Sequence, residues 1–178
     1  MTEIAEWKDA ISYTDFLKKA RENVELMKAR FSDFILSEED EDMLRRIQNP
    51  INILVIGNDR CNDTAGNLPV LAKMESMSKN IKLRILDSDK YARFHEQFRV
   101  NGKRKTPVVL FLSSELNELC RWVERPNAVY QFVNETNLSM DDRRGTLRKL
   151  YSDPEILRQS FTELSDLLMR ADLLLGRK

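Results

Sequence analysis

The stretch INILVIGNDRCNDTAGNLPVLAKMESM, residues 51–77, decides how this chain folds. Ile51 to Ile56 is a nearly continuous apolar run of strand length, the pattern of a strand buried on both faces. Leu68, Val70, Leu71, Ala72, Met74 and Met77 surround much of a helix's circumference, which predicts a well-covered helix over 64–78. Cys61 follows the strand and precedes the helix. The first amides of a helix lack intrahelical partners, and the dipole there favours negative charge. A thiolate at that place is stabilised and its pKa falls. Arg60 pushes the same way, while Asp59 and Asp63 oppose it, so a moderate depression at most is expected.

Downstream, Ile81, Leu83 and Ile85 alternate with Lys82 and Arg84, giving a second strand. Tyr91, Phe94 and Phe98 mark a short helix over 88–98. Residues 107–112 read as another buried strand, and after a Ser113-Ser114-Glu115 turn the segment 116–123 returns antiparallel. A helix over 127–135 runs through Val129, Phe132 and Val133. Upstream, Tyr13, Phe16, Leu17, Ala20, Val24, Met27 and Phe31 form one helical apolar stripe, and Ser37 with Asp40 reads as a capping box for a short helix that Asn49-Pro50 ends. Beyond 137, Pro154 suits a first helical turn. Leu157, Phe161, Leu164, Leu168, Ala171 and Leu175 then repeat in alternating steps of four and three, the spacing of a coiled-coil seam. The expected division is a helical extension over 1–50, an α/β unit over 51–136 and a helical extension over 137–178, forming one compact unit. The two extensions are expected to cover each other's apolar stripes within one chain, or between two chains as a homodimer.

Composition narrows the function. A hydrophobic fraction of 42% suffices for one packed core. Lys and Arg total 29 against 29 for Asp and Glu, a balance that argues against a nucleic-acid binder. No apolar run approaches the roughly 18 residues of a membrane span. The opening MTEIAEWKDA is acidic and mixed, unlike an export signal. Cys61 and Cys120 are far apart, which excludes a disulfide-stapled fold and suits a reducing cytoplasm. Cys61 has no second Cys or His at ligand spacing, so no metal is expected. His95 has polar helical neighbours and is expected at the surface, Cys120 in the core, and the basic run Asn101–Lys105 in a solvated loop that can also attract an anionic thiol or an acidic partner.

The segment Asp59-Arg60-Cys61-Asn62-Asp63-Thr64 resembles the active-site loop of thioredoxins, whose usual form is Trp-Cys-x-x-Cys. Thioredoxins carry a kinking proline eight residues after the first cysteine, where Pro69 stands, and a cis-proline opening the next-to-last strand, which Thr106-Pro107 matches. The likeness is to a bacterial branch with a helical N-terminal extension, a Trp-Cys-Gly-Asp-Cys loop and a later Arg-Trp-Gly-Pro-Arg-Pro, partly repeated in Arg121-Trp122-Val123-Glu124-Arg125-Pro126. The resemblance implies a thioredoxin-like mixed sheet of four to five strands with flanking helices, and Pro107 in the cis form beside Cys61. It implies a catalytic set of Cys61, Thr64 and Pro107, with Arg60, Thr106 and Val123 on the substrate groove.

The departures shape the expected chemistry. Thr64 replaces the second cysteine and Arg60 the tryptophan. Val55 stands where thioredoxins bury a proton-accepting aspartate, and Val123 replaces a small groove residue. Cys61 can attack a disulfide, but Thr64 cannot resolve the mixed disulfide that results. Turnover therefore needs an external thiol, such as glutathione, bacillithiol or coenzyme A. Two functions follow: a cytoplasmic monothiol exchanger acting on protein or low-molecular-weight thiols and disulfides, or a catalytically inactive thioredoxin-fold interaction module.

Overall fold

Strand β1 (Ile51–Gly57) has a partner on each side, which explains its unbroken apolar sequence. It runs parallel to β2 (Ile81–Asp87) and antiparallel to β3 (Val108–Leu112), and β3 pairs antiparallel with β4 (Glu118–Val123). The order across the sheet is β2-β1-β3-β4. Side chains alternate between faces. Ile53, Val55, Val109 and Phe111 join one apolar cluster, while Leu54, Ile56, Val108, Leu110 and Leu112 join another with Phe94 and Phe98. A fifth position beside β2 is a single bridge, Ile11 to Ile85. The structure, a computed structural model, describes residues 4–176.

Helices α1 (Tyr13–Lys19), α2 (Val24–Asp33) and α3 (Glu38–Arg45) precede the sheet. The capping box holds: the Asp40 N–H donates to the Ser37 hydroxyl, and Ser37 N–H donates to the Asp40 carboxylate. The N-terminal stripe is not one helix. It breaks at Ala20, whose backbone is extended, and at Asn23, with φ of 54°. The N–H groups of Arg21 and Glu22 donate instead to the Asp59 carboxylate, at 2.7 and 3.0 Å. A tertiary acceptor thus outcompetes the local helical pattern.

Helix α4 (Asn62–Met77) follows β1, with Pro69 inside it. Then come α5 (Ala92–His95), a single 3-10 turn over Glu96–Phe98, and α6 (Asn127–Glu135). Helix α7 (Met140–Leu150) leads to α8 (Pro154–Leu175), capped by the Asp153 side chain. Leu157, Phe161, Leu164, Leu168 and Ala171 of α8 are buried in the same cluster as α4 and the sheet. The α8 seam therefore packs mainly on α4, β3 and β4 of its own chain, and meets the N-terminal extension at the Phe34 and Phe161 rings, 5.6 Å apart. The 3-4 spacing here serves the core of its own chain. His95 corrects the surface expectation: it is buried, and its Nε2–H donates to the Lys105 carbonyl at 2.8 Å. Burial lowers its pKa, and the bond to the Lys105 carbonyl works the other way.

Candidate functional site around Cys61

Cys61 is the N-cap residue of α4, and its carbonyl accepts the Ala65 N–H at 2.9 Å. The loop before it is held tightly. The Asn58 side-chain oxygen accepts the N–H of Arg60 and of Cys61, each at 3.1 Å, and Asn23 Nδ2 donates to the Asp59 carbonyl. Across the site the Thr106–Pro107 peptide is cis, and Cys61 Sγ lies 3.4 Å from the Thr106 carbonyl oxygen, to which the thiol donates. The Pro107 carbonyl accepts the Glu124 N–H at 2.7 Å, joining this loop to the exit of β4.

Cys61, Thr106 and Pro107 thus come together at the end of the sheet. Val123, paired with Val108, is half-buried beside them. The Arg60 guanidinium forms an exposed ion pair with Asp89. Thr64 is fully buried, and its hydroxyl has no hydrogen-bond partner among the described residues. It packs against Gly57, where an added Cβ would lie 2.8 Å from Thr64 Oγ1. Position 55, under the loop, is fully buried valine. Cys120 is a separate, half-buried thiol donating to the Leu167 carbonyl at 3.4 Å, and burial pushes its pKa up to about 11. Both cysteines are free. Among the described residues no group of three acidic, His or Cys side chains is placed to hold a metal, and no helix is long and apolar enough to cross a membrane.

A family model described as thioredoxin matches residues 10–141. The chain belongs to the thioredoxin family. A Pseudomonas aeruginosa protein of unknown function is similar over 96% of this chain and 99% of its own, with 22% identity and a TM-score of 0.74. An HIV epitope-scaffold protein is similar over 94% of this chain and 98% of its own, with 21% identity and a TM-score of 0.72. At these identities both likenesses concern the fold. No curated protein matches the chain.

Within this thioredoxin-family site, the sequence reading missed a buried network of charge. Asp63, only 4% exposed, accepts from Arg125 at 2.7 Å and from the Tyr151 hydroxyl at 2.6 Å. Arg125 also contacts Glu124, which accepts from Tyr130 at 2.7 Å and pairs with Lys105 at 3.0 Å. Burial pushes the Asp63 carboxyl up to about 6, with Glu124 adding to it and Arg125 and Tyr151 pulling it down. The terminal extensions close over the same turn: Asn62 Nδ2 donates to the Arg144 carbonyl, and Arg144 pairs with Glu22. Both Asp63 and Arg125 stand inside the segments that resemble thioredoxin motifs, so their residue types were visible; Tyr151 lies 88 residues from Asp63 and had no local signal. The basic run 101–105 is mostly exposed, and Lys105 alone is drawn into this network.

Proposed function

We propose that this thioredoxin-family chain exchanges thiols and disulfides through Cys61 alone. The observation that carries the reading is the placement of the Cys61 sulfur at the helix N-cap, 3.4 Å from the Thr106 carbonyl, with a buried threonine one turn further on. In the first step the Cys61 thiolate attacks a substrate disulfide. One Cys61–substrate S–S bond forms, the original S–S bond breaks, and the departing sulfur leaves as a thiolate. Thr64 has no sulfur with which to displace the attached half. An external low-molecular-weight thiol attacks the mixed disulfide instead, carries off the substrate half as a new disulfide and returns Cys61 to the thiolate. Recycling of Cys61 by an external reduced thiol is favoured in a reducing compartment, and two free cysteines suit the cytoplasm.

A second reading has its own support. Asn62 and Asp63 are 8% and 4% exposed, so the turn after Cys61 is covered by the chain's own extensions. That suits an interaction module in which Cys61 is chemically silent. Incubation with oxidised glutathione, followed by mass spectrometry of the Cys61 and Cys120 peptides, separates the two. The exchange reading expects a glutathione adduct on Cys61, reversed by reduced glutathione, with little insulin reduction by dithiothreitol. Thr64→Cys should then give weak but measurable insulin reduction. A Cys61 that stays unmodified points to the module, and robust insulin reduction by the unaltered chain contradicts the single-thiol mechanism.

A further inference from the structure

The inner face of α8 is covered by α4 and the sheet, but its last two turns also carry apolar side chains that face outward. Among the described residues five large apolar side chains are exposed, and three of them, Met169, Leu173 and Leu174, lie in those turns. Leu173 is 68% exposed and Met169 41%. Beside them runs α3. Its residues Glu39, Met43 and Arg46, spaced four and three apart, share one side of the helix. With Ile47, Met169 and Leu173 they line an open groove of about 400 Å³. The two walls of the groove are fastened to each other. The Asp172 carboxylate of α8 accepts the N–H groups of Gln48 and Asn49 at 3.2 and 2.8 Å, and Asn49 Nδ2 at 2.9 Å, just past the end of α3.

We propose that this face pairs two copies of the chain, α3 against α3 in antiparallel fashion, about a two-fold axis at Met43. The charges select the occupant. Helix α3 opens with Glu38 and Glu39 and closes with Arg45, followed by Arg46 as its C-cap. Glu39 is exposed and has no ion-pair partner among the described residues. Arg46 is exposed and reaches only Asp42, at 3.9 Å, whereas Arg45 is engaged by Glu41 at 2.6 Å. Glu39 and Arg46 are about 10 Å apart along the helix axis, with Met43 near the midpoint. A two-fold axis there sets Glu39 of each copy against Arg46 of the other, with one Met43 from each copy between the two pairs. A parallel arrangement sets like charge on like. The same operation places Met169 and Leu173 of each copy beside that apolar centre. The centre supplies the affinity, and the exposed charge pairs fix the register. A contact of this length belongs to the small class, below about 1,200 Å² in total, so the dimer should come apart on dilution. Pairing through this face needs no reaction at Cys61.

The test is the molar mass of the full chain in sedimentation velocity, from micromolar to submillimolar concentration. The parent should rise from 20.9 kDa toward twice that mass. Leu173→Glu puts a charge into the apolar patch and should weaken the dimer roughly tenfold or more. Glu39→Arg leaves cations facing each other across the axis and should weaken it to a similar degree. Adding Arg46→Glu to that variant restores opposite charges and should bring the dimer back. All three positions are exposed, so the monomer should keep its fold, checked by circular dichroism. Where the double variant loses helix, an equimolar mixture of the Glu39→Arg and Arg46→Glu chains, each weak alone, should form a mixed dimer. A parent that stays monomeric at every concentration, a dimer indifferent to Leu173→Glu, or failure of both the double variant and the mixture to recover mass overturns the pairing. So does a mass that climbs past the dimer, the mark of unspecific association through exposed leucines.

Discussion

At position 63 a carboxyl sits out of water between a guanidinium and a phenol, and its proton affinity feeds directly into stability. Its pKa, about 6 in the folded chain against an ordinary 3.8, means that the native state holds a proton that the unfolded state has lost between those values. Stability from this group is complete below about pH 4 and falls as pH rises through 6, by up to about 3 kcal/mol. Asp59 behaves oppositely. Burial works against its charge, but the N–H groups of Glu22 and Arg21 hold its carboxyl below the usual range, so its contribution is lost only as pH falls below the unfolded value. Urea unfolding of Asp63→Asn across pH 4 to 7 should therefore lose the decline that the parent shows in that window. The residues that announce themselves in the sequence are those whose role is local: Cys61 before a helix, Pro69 within it, Pro107 opening a strand. The role of Asp63 depends on Arg125 and Tyr151, and nothing near residue 63 specifies either contact.

Helix α4 shows what an element owes to its neighbours. Gly66 lies in its interior, where alanine is ordinarily preferred by about 1 kcal/mol. Here the sign reverses, because a methyl group at 66 would meet the Tyr151 ring at 2.2 Å. Gly66→Ala should destabilise the protein by roughly 2 kcal/mol or more, seen as a lower urea midpoint, and should disturb Tyr151 ahead of the sheet. An unchanged or raised midpoint would mean that the ring yields freely. Element boundaries set by local chemistry were readable. The Ser37–Asp40 box and the Asp153–Pro154 start need only neighbouring residues. The interruption between α1 and α2 was not, since the acceptor that captures Arg21 and Glu22 is Asp59, nearly forty residues away. The Ile11–Ile85 bridge beside β2 is likewise a matter of pairing across the chain.

For the whole molecule, α8 is part of the core and not an appendage. Leu157, Phe161, Leu164 and Leu168 are buried against α4 and the sheet, and burial of each such side chain contributes roughly 1.5–3 kcal/mol. Their sum is comparable with the entire net stability of an ordinary domain, about 5–15 kcal/mol. Deleting residues 152–178 should therefore leave a chain that aggregates or unfolds without cooperativity, measured by size-exclusion chromatography and circular dichroism. A soluble, equally stable truncation would show that α8 covers nothing essential. The need for a cover was legible in the apolar repeat; its partner was not, because the repeat alone does not distinguish a second helix, a second chain or a sheet. The indole N–H of Trp122 on β4 donates to the Glu163 carboxylate on α8 at 2.7 Å. With Trp7 as the only other tryptophan in the chain, that bond makes Trp122 a built-in optical gauge: when α8 lifts away, the ring loses its anionic partner and meets water, and its fluorescence changes in colour and brightness.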